Sequence, residues 1–189
     1  MTTATKPFGP SAIATPANAL TMGRLVAAPV FAVALTLFGP SSWVLWALWS
    51  LLAASDSVDG HLARRHGTTV SGAFLDPLAD KFLVVAALCA LIERGLVPAV
   101  AVALVVAREL LMSLFRTYAA RRSVSIPARP LGKAKALLQD IAVGLFLFPP
   151  TAHHLAIDRG VLWAAVALTL LSGLQYLRDG RALLAGGGA

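Results

Sequence analysis

Residues 55–81 read SDSVDGHLARRHGTTVSGAFLDPLADK, and this stretch holds four of the nine acidic residues of a 189-residue chain. The four are Asp56, Asp59, Asp76 and Asp80. The chain is 58% hydrophobic and only 13% charged, whereas about a quarter of the residues of soluble domains are charged. Clustered carboxylates in so apolar a chain are costly, and they therefore indicate a functional site.

The apolar residues come in long blocks, and the mean hydropathy is +0.76. Blocks that are apolar on all sides and approach about 20 residues are typical of membrane-spanning helices. We therefore predict an all-α integral membrane protein with six transmembrane helices, the fifth being the shortest. The six blocks cover residues 20–38, 43–62, 74–92, 96–115, 137–150 and 161–177.

The basic residues indicate the orientation of these helices. With a cytoplasmic N-terminus, six spans return the C-terminus to the same side, and fourteen of the 16 Lys and Arg residues then face the cytoplasm. Only Arg94 and Arg159 face outward. This bias predicts cytoplasmic N- and C-termini and a multi-pass protein of the cell membrane. It also accounts for the net charge of +7 without nucleic acid, with anionic membrane lipids as neighbours.

The same reading divides the chain into three parts. Residues 1–16 are rich in Thr, Pro and Ala and are predicted to be a disordered tail. Residues 17–182 are predicted to form one membrane domain. The Gly-rich end, residues 183–189, is predicted to be a second disordered tail.

The aspartates form two pairs on adjacent predicted helices. Asp56 and Asp59 are three residues apart, and Asp76 and Asp80 are four apart, so each pair shares a helix face. A short link makes the two helices antiparallel neighbours, and the pairs can then converge at the cytoplasmic membrane boundary. Oxygen ligands without His or Cys favour hard cations, so we predict a site for two Mg²⁺ or Mn²⁺ ions that hold a pyrophosphate or phosphodiester.

The segment resembles the signature of the CDP-alcohol phosphatidyltransferases. That signature has two Asp separated by two residues, then Gly, Ala-Arg, a spacer, a second Gly and two further Asp. The matching residues are Asp56, Asp59, Gly60, Ala63, Arg64, Gly72, Asp76 and Asp80. The spacer between Arg64 and Gly72 is one residue shorter than is usual in the family.

The resemblance implies six transmembrane helices and an active site at the cytoplasmic face. It implies transfer of a phosphatidyl group from CDP-diacylglycerol to an alcohol, with release of CMP. The four aspartates would surround a two-metal centre, with Asp80 as the general base, and the protein would be a homodimer. The residues expected to bind CDP-diacylglycerol are Asn18, Thr21, Gly60, Ala63, Arg64, Thr69 and Gly72.

Basic residues further along the chain suggest an acceptor site. The fourth apolar block contains Arg108-Glu109, and a charged pair in a membrane helix indicates a binding role or a link between helices. Arg116 follows two turns later on roughly the same face. Lys133 and Lys135 precede the fifth block, where they could meet an anionic phosphate. These four cations are the predicted acceptor-phosphate ligands.

Several stretches resemble the phosphatidylglycerophosphate synthase branch of that family. They are ANALTMGR (17–24), ARELLMSLFR (107–116), LGKAKALLQ (131–139) and LSGLQYLRDG (171–180). The resemblance implies glycerol 3-phosphate as the acceptor. Ala136 stands where the branch usually has Thr, and cardiolipin synthases and phosphatidylinositol-phosphate synthases of the same family remain alternatives.

Two other classes of protein use acidic clusters in membranes. A membrane prenyltransferase would hold a pyrophosphate through Asp-rich motifs, but normally on well-separated helices of a larger bundle. A divalent-ion transporter would place carboxylates near the midplane, with polar residues leading to the far side. The aspartates here lie at one end of two adjacent helices, so the transferase is preferred over both.

Overall fold

A computed structural model describes residues 16–66, 70–122, 124, 126 and 130–186, with side chains over 22–55, 81–122, 124, 126 and 130–184. The described residues form six α-helices and one short 3₁₀ turn, Pro149–Thr151, without a strand. The helices are α1 Pro16–Phe38, α2 Trp43–His66, α3 Val70–Glu93, α4 Ala99–Arg121, α5 Pro130–Leu147 and α6 Leu155–Gly186. The all-helical class and the six predicted helices are confirmed.

The helices extend beyond the apolar blocks that predicted them. α2 continues to His66 and α5 begins at Pro130, so both include polar residues at the predicted cytoplasmic end. α6 runs to Gly186, four residues beyond the boundary predicted at residue 182. The residues that extend it, Arg-Ala-Leu-Leu-Ala at 181–185, are strong helix formers. The predicted tail of residues 1–15 lies outside the described residues.

Turn chemistry ends two of the helices. Gly39 and Gly95 have φ angles of 86° and 71°, in the left-handed region that glycine adopts without strain. The Gly39 N–H donates to the Leu35 carbonyl at 3.1 Å, which closes α1, and the Gly95 N–H donates to Ile92 at 2.8 Å after α3. Pro98 then occupies the N-cap of α4 in extended conformation.

The chain divides into two compact units, although residues 17–182 are predicted as one domain. The first comprises Met1–Leu91 with Leu147–Pro149. In it α1 packs on α2, and the buried side chains Ala28, Phe31 and Leu35 lie on one face of α1. The Phe31 ring meets Trp49 of α2 with centroids 5.6 Å apart.

The second unit comprises Ile92–Phe146 with Pro150–Ala189, and in it α4 packs along α6. Gly180 of α6 lies directly against Phe115 of α4 and Ile126. At the other end of α6, Arg159 donates from Nε to the Leu96 carbonyl at 2.8 Å and from Nη2 to the Gly95 carbonyl at 3.1 Å. These contacts fasten α6 to α4 at one end and to the turn before α4 at the other.

The distribution of polarity is inverted relative to a soluble protein. Val26, Val30, Val33 and Leu37 of α1 are all more than half exposed, while charged and polar side chains are buried. The segment Leu155–Leu184 of α6, 30 residues with a mean hydropathy of 1.6, is long and apolar enough to cross a membrane. The shorter described segments Met22–Phe38 and Trp43–Ser55 are also apolar. These features are those of a membrane protein.

We predict that Gly180→Ala destabilises the protein. A Cβ at this position would lie 2.7 Å from Ile126 Cδ1 and 2.8 Å from Phe115 Cζ, and relieving such overpacking costs about 1–3 kcal/mol. Gly160→Ala, in the same helix with no atom within 4 Å of its Cβ, is the control. Thermal unfolding in detergent should show a lower midpoint for Gly180→Ala and an equal or higher midpoint for Gly160→Ala. Equal midpoints for wild type and Gly180→Ala would contradict this packing.

Candidate functional site

The four aspartates lie on two helices of the first unit. Asp56 and Asp59 fall within α2, and Asp76 and Asp80 fall within α3. Because both segments are helical, residues three or four apart lie on one face. α2 ends at His66 and α3 begins at Val70, so each helix includes its acidic pair. The helical placement on which the predicted metal site depends is therefore present in the backbone.

Side chains 56–80 lie outside the described residues, and so do those of Asn18 and Thr21. Among the predicted CDP-diacylglycerol ligands, Asn18 and Thr21 lie on α1, Gly60, Ala63 and Arg64 on α2, and Gly72 on α3. Thr69 lies outside the described residues altogether. Within the described side chains, no group of three or more His, Cys, Asp or Glu could hold a metal ion. An all-carboxylate donor set, by its chemistry, fits Mg²⁺ or Mn²⁺.

Arg24 is a buried arginine at the edge of this acidic segment. Its residue is only 2% exposed, and its Nη2 donates to Ser55 Oγ at 3.2 Å. Ser55 immediately precedes Asp56, and its own hydroxyl donates to the Leu52 carbonyl at 2.7 Å. Buried arginine is costly unless it is paired or hydrogen-bonded. Arg24 therefore joins α1 to α2 at the point where the acidic segment begins.

Arg24 was counted in the sequence only as one of the cytoplasmic basic residues. The signal that could have identified it is its position inside an otherwise apolar helix, since such an arginine normally has a specific partner. Its partner Ser55 is 31 residues away, and helical periodicity alone does not identify such a pair.

The second unit contains a buried ionic cluster, which we define as Arg108, Glu109 and Lys135. Glu109 and Lys135 are each 8% exposed. Arg108 Nη1 donates to Glu109 Oε1 at 2.8 Å, and Lys135 Nζ bonds the same oxygen. α4 supplies two of the three residues and α5 the third. Two of the four predicted acceptor-phosphate ligands, Arg108 and Lys135, are thus brought together by one carboxylate.

α6 completes the surroundings of Arg108. Arg108 Nη2 donates to Ser172 Oγ at 3.0 Å, and Ser172 donates to the Thr169 carbonyl at 2.9 Å. A Cβ on Gly173 would lie 3.1 Å from Arg108 Nε and 3.3 Å from its Cγ. The absence of a side chain at 173 therefore lets Arg108 lie flat along α6, where its guanidinium reaches Ser172.

A further buried hydrogen bond joins α5 to α6. Gln139 Nε2 donates to Thr169 Oγ1 at 2.9 Å, and that hydroxyl donates to the Ala165 carbonyl at 2.7 Å. Thr169 is fully buried and Gln139 is 7% exposed. Together with the ionic cluster, this bond joins α4, α5 and α6 by polar contacts inside an apolar unit.

The other two predicted acceptor ligands are exposed. Arg116, two turns beyond Arg108 on α4, donates from Nε to the Tyr176 hydroxyl at 3.4 Å, and its guanidinium lies 5.9 Å from the centroid of that ring. Lys133 lies in the first turn of α5 and is exposed. A mobile ligand can reach these two cations without displacing a buried ion pair.

Comparison with known proteins supplies an independent line of evidence. Residues 14–171 match the family model described as CDP-alcohol phosphatidyltransferase. The chain is 40% identical over 174 residues to a protein of Mycobacterium tuberculosis named a probable phosphatidylglycerophosphate synthase, covering 89% of this chain and 83% of that one.

Two further relatives carry the name CDP-diacylglycerol--glycerol-3-phosphate 3-phosphatidyltransferase. The protein of Rickettsia bellii is 32% identical over 167 residues, covering 85% of this chain and 92% of its own. The protein of Bacillus subtilis is 32% identical over 182 residues, covering 84% and 91% respectively. The similarity therefore extends over most of the chain in each pair.

We predict that Thr169→Val destabilises the second unit. Valine has the shape of threonine but leaves the buried Gln139 Nε2 without its acceptor, which costs about 1–3 kcal/mol. Thr117→Val is the matched control, because the Thr117 hydroxyl makes the same kind of bond, to the Ser113 carbonyl at 3.0 Å, on an exposed surface. Unfolding in detergent should separate the two variants, and equal stabilities would contradict the role given to Thr169.

Proposed function

The chain belongs to the CDP-alcohol phosphatidyltransferase family, and on that premise we propose that it transfers the phosphatidyl group of CDP-diacylglycerol to glycerol 3-phosphate. The products are phosphatidylglycerophosphate and CMP, and the process served is phospholipid biosynthesis. The observation that carries this choice of acceptor is the name shared by relatives that align over most of their length. The buried and exposed cations of the second unit support an anionic acceptor.

In this reaction a hydroxyl oxygen of glycerol 3-phosphate attacks the phosphorus that bears the diacylglycerol. A new P–O bond forms, the bond to the CMP phosphate breaks, and CMP leaves. We assign Asp80 as the general base that takes the proton of the attacking hydroxyl. Asp56, Asp59, Asp76 and Asp80 would hold two divalent ions, Mg²⁺ or Mn²⁺, which neutralise the diphosphate and stabilise the leaving phosphate.

The donor nucleotide is assigned to the ends of α1, α2 and α3 next to these aspartates. Gly60 and Ala63 share the face of Asp56 and Asp59 and leave space beside the helix backbone. Arg64 supplies a positive charge for a phosphate. Arg24 supports this assignment indirectly, since its bond to Ser55 ties α1 to α2 immediately before Asp56. The remaining proposed donor ligands are Asn18, Thr21, Thr69 and Gly72.

The acceptor phosphate is assigned to the four cations Arg108, Arg116, Lys133 and Lys135. Arg108 and Lys135 are buried or nearly so and bonded to Glu109, whereas Arg116 and Lys133 are exposed. The difference suggests a division of roles, in which the exposed pair captures the dianion and the ionic cluster fixes its final position. Charged hydrogen bonds to phosphate are the strong ones in such sites.

We further propose that all six helices cross the membrane, with both termini and the active site at the cytoplasmic face. Helices α1 to α4 have 23 or 24 residues, which is about 35 Å at 1.5 Å per residue and spans a hydrocarbon core of about 30 Å. The excess of basic residues on one side supports the orientation. A homodimer surrounded by membrane lipids is the proposed assembly.

The proposed function is tested first by the choice of acceptor. The purified protein in detergent, with CDP-diacylglycerol and Mg²⁺ or Mn²⁺, should release CMP when glycerol 3-phosphate is added. Phosphatidylglycerol and inositol phosphate, added separately, should support no release above background. Release with phosphatidylglycerol alone would make the protein a cardiolipin synthase. Release with inositol phosphate alone would make it a phosphatidylinositol-phosphate synthase.

Asp80→Asn should lower turnover by at least a thousandfold, because the amide cannot accept the proton and is a poorer metal ligand. Glu93→Gln is the control, since it removes an exposed carboxylate from the other end of α3 and should leave CMP release unchanged. Both variants are compared at equal thermal stability in detergent. An Asp80→Asn enzyme with near-normal turnover would remove Asp80 from the role of base.

Arg116→Ala and Lys133→Ala should each raise KM for glycerol 3-phosphate about tenfold, in line with the loss of one charged hydrogen bond of about 1.5 kcal/mol. KM for CDP-diacylglycerol should change little. Arg121→Ala, also an exposed arginine on α4, is the control and should leave both constants unchanged. Equal effects of all three substitutions would indicate that only the overall positive charge matters.

A further inference from the structure

The ionic cluster is built around a single carboxylate oxygen. Arg108 and Lys135 both bond Glu109 Oε1, although Arg108 is its neighbour on α4 and Lys135 comes from α5, 26 residues away. Because two cations bond one oxygen, their charged groups are held close together. Without the carboxylate they would repel each other in a site of low dielectric constant. Glu109 is therefore the residue that allows Arg108 and Lys135 to lie side by side.

These three side chains together carry two positive charges and one negative charge. Their side chains are only 10–12% exposed, so the excess positive charge is poorly solvated and favours an anion. Arg108 also has an Nε that is buried without a hydrogen-bond partner among the described residues. A pair of cations held by a carboxylate, with a donor of the guanidinium still unsatisfied, is suited to a phosphate monoester.

The orientation of Arg108 is defined from two sides. Its Nη1 bonds Glu109 and its Nη2 bonds Ser172 of α6, and Gly173 lies against its Nε and Cγ. Two hydrogen bonds in the plane of the guanidinium leave little rotational freedom. Lys135, by contrast, is a flexible side chain whose charged end depends on the position of its anionic partner.

We propose that Glu109 is a positioning residue for the acceptor: its carboxylate holds Arg108 and Lys135 together so that both act on the phosphate of glycerol 3-phosphate. This inference rests on the proposed function and assigns a role to a residue that neither the family signature nor the acceptor prediction includes. Glu109 acts through the two cations and does not itself bind the substrate. Its loss should therefore affect the acceptor and leave the donor nucleotide unaffected.

The test compares Glu109→Gln and Glu109→Asp in steady-state kinetics of CMP release. Glu109→Gln keeps the size of the side chain but removes its charge, so KM for glycerol 3-phosphate should rise at least tenfold. KM for CDP-diacylglycerol should stay within about twofold of wild type. Glu109→Asp keeps the charge and should recover most of the loss. Asp179→Asn, which removes a carboxylate from α6 of the same unit, is the control and should change neither KM.

A second readout does not depend on turnover. Glycerol 3-phosphate should raise the unfolding temperature of wild type in detergent, while glycerol at the same concentration should not. Glu109→Gln should lose this stabilisation. If Glu109 only joined α4 to α5, its replacement would lower the unfolding temperature but leave KM for glycerol 3-phosphate and the ligand-induced shift as in wild type, which would overturn the proposal.

Gly173→Ala tests the same arrangement without altering any charge. The added methyl group crowds Arg108 Nε and Cγ and should raise KM for glycerol 3-phosphate several-fold, so this variant decides the matter if Glu109→Gln does not fold. An unchanged KM in Gly173→Ala and in every folded Glu109 variant would reject the positioning role. If wild type releases no CMP with glycerol 3-phosphate, the proposed function itself fails, whatever the variants do.

Discussion

The Glu109 carboxylate, bonded by Arg108 of its own helix and by Lys135 of α5, is the interaction on which the arrangement of the second unit depends. A buried charge without a partner would be too costly in a unit whose outer side chains are apolar. Pairing therefore fixes which face of α4 turns toward α5. The bond from Arg108 to Ser172 then fixes the face of α6, and the close approach at Gly173 and Gly180 follows from the same alignment of α4 and α6.

A corresponding constraint operates in the first unit. Arg24 is buried in α1 and bonded to Ser55 of α2, while the apolar contact of Phe31 with Trp49 lies further along the same pair of helices. Unit 1 contains four acidic residues, all of them in the segment 56–80. The buried arginine thus lies beside the most acidic part of the chain. Polar pairing and apolar packing together align α1 and α2 at the start of the acidic segment.

Membership of the CDP-alcohol phosphatidyltransferase family gives these constraints a chemical meaning. A phosphatidyltransferase must handle a diphosphate donor, and carboxylates on α2 and α3 supply the ligands that hard divalent ions prefer. A phosphorylated acceptor needs fixed positive charge, and the second unit provides cations on α4 and α5. Carboxylates and cations therefore belong to different compact units. Each unit meets its own electrostatic requirement with residues of its own helices.

Much of this was determined by the sequence alone. Six apolar blocks, interrupted at Gly39-Pro40, Gly95 and Pro149-Pro150, predict six helices, because a glycine with positive φ or a proline ends a helix by local sterics. The spacing of the aspartates predicts two acidic helix faces, since residues three or four apart share a face of any helix. The eight fixed positions of the signature indicate the family. All of these depend on residues close together in the chain.

Only the tertiary structure decided the partners of the buried charges. Helical periodicity shows that Arg108 and Arg116 share a face, but it does not show which residue of another helix that face meets. Lys135 is paired with Glu109 across 26 residues, and Arg108 with Ser172 across 64. Such pairs follow from the rotation of each helix about its axis, which depends on the packing and desolvation of all its neighbours at once. For that reason the sequence indicated the cations, while the structure revealed the carboxylate that holds two of them together.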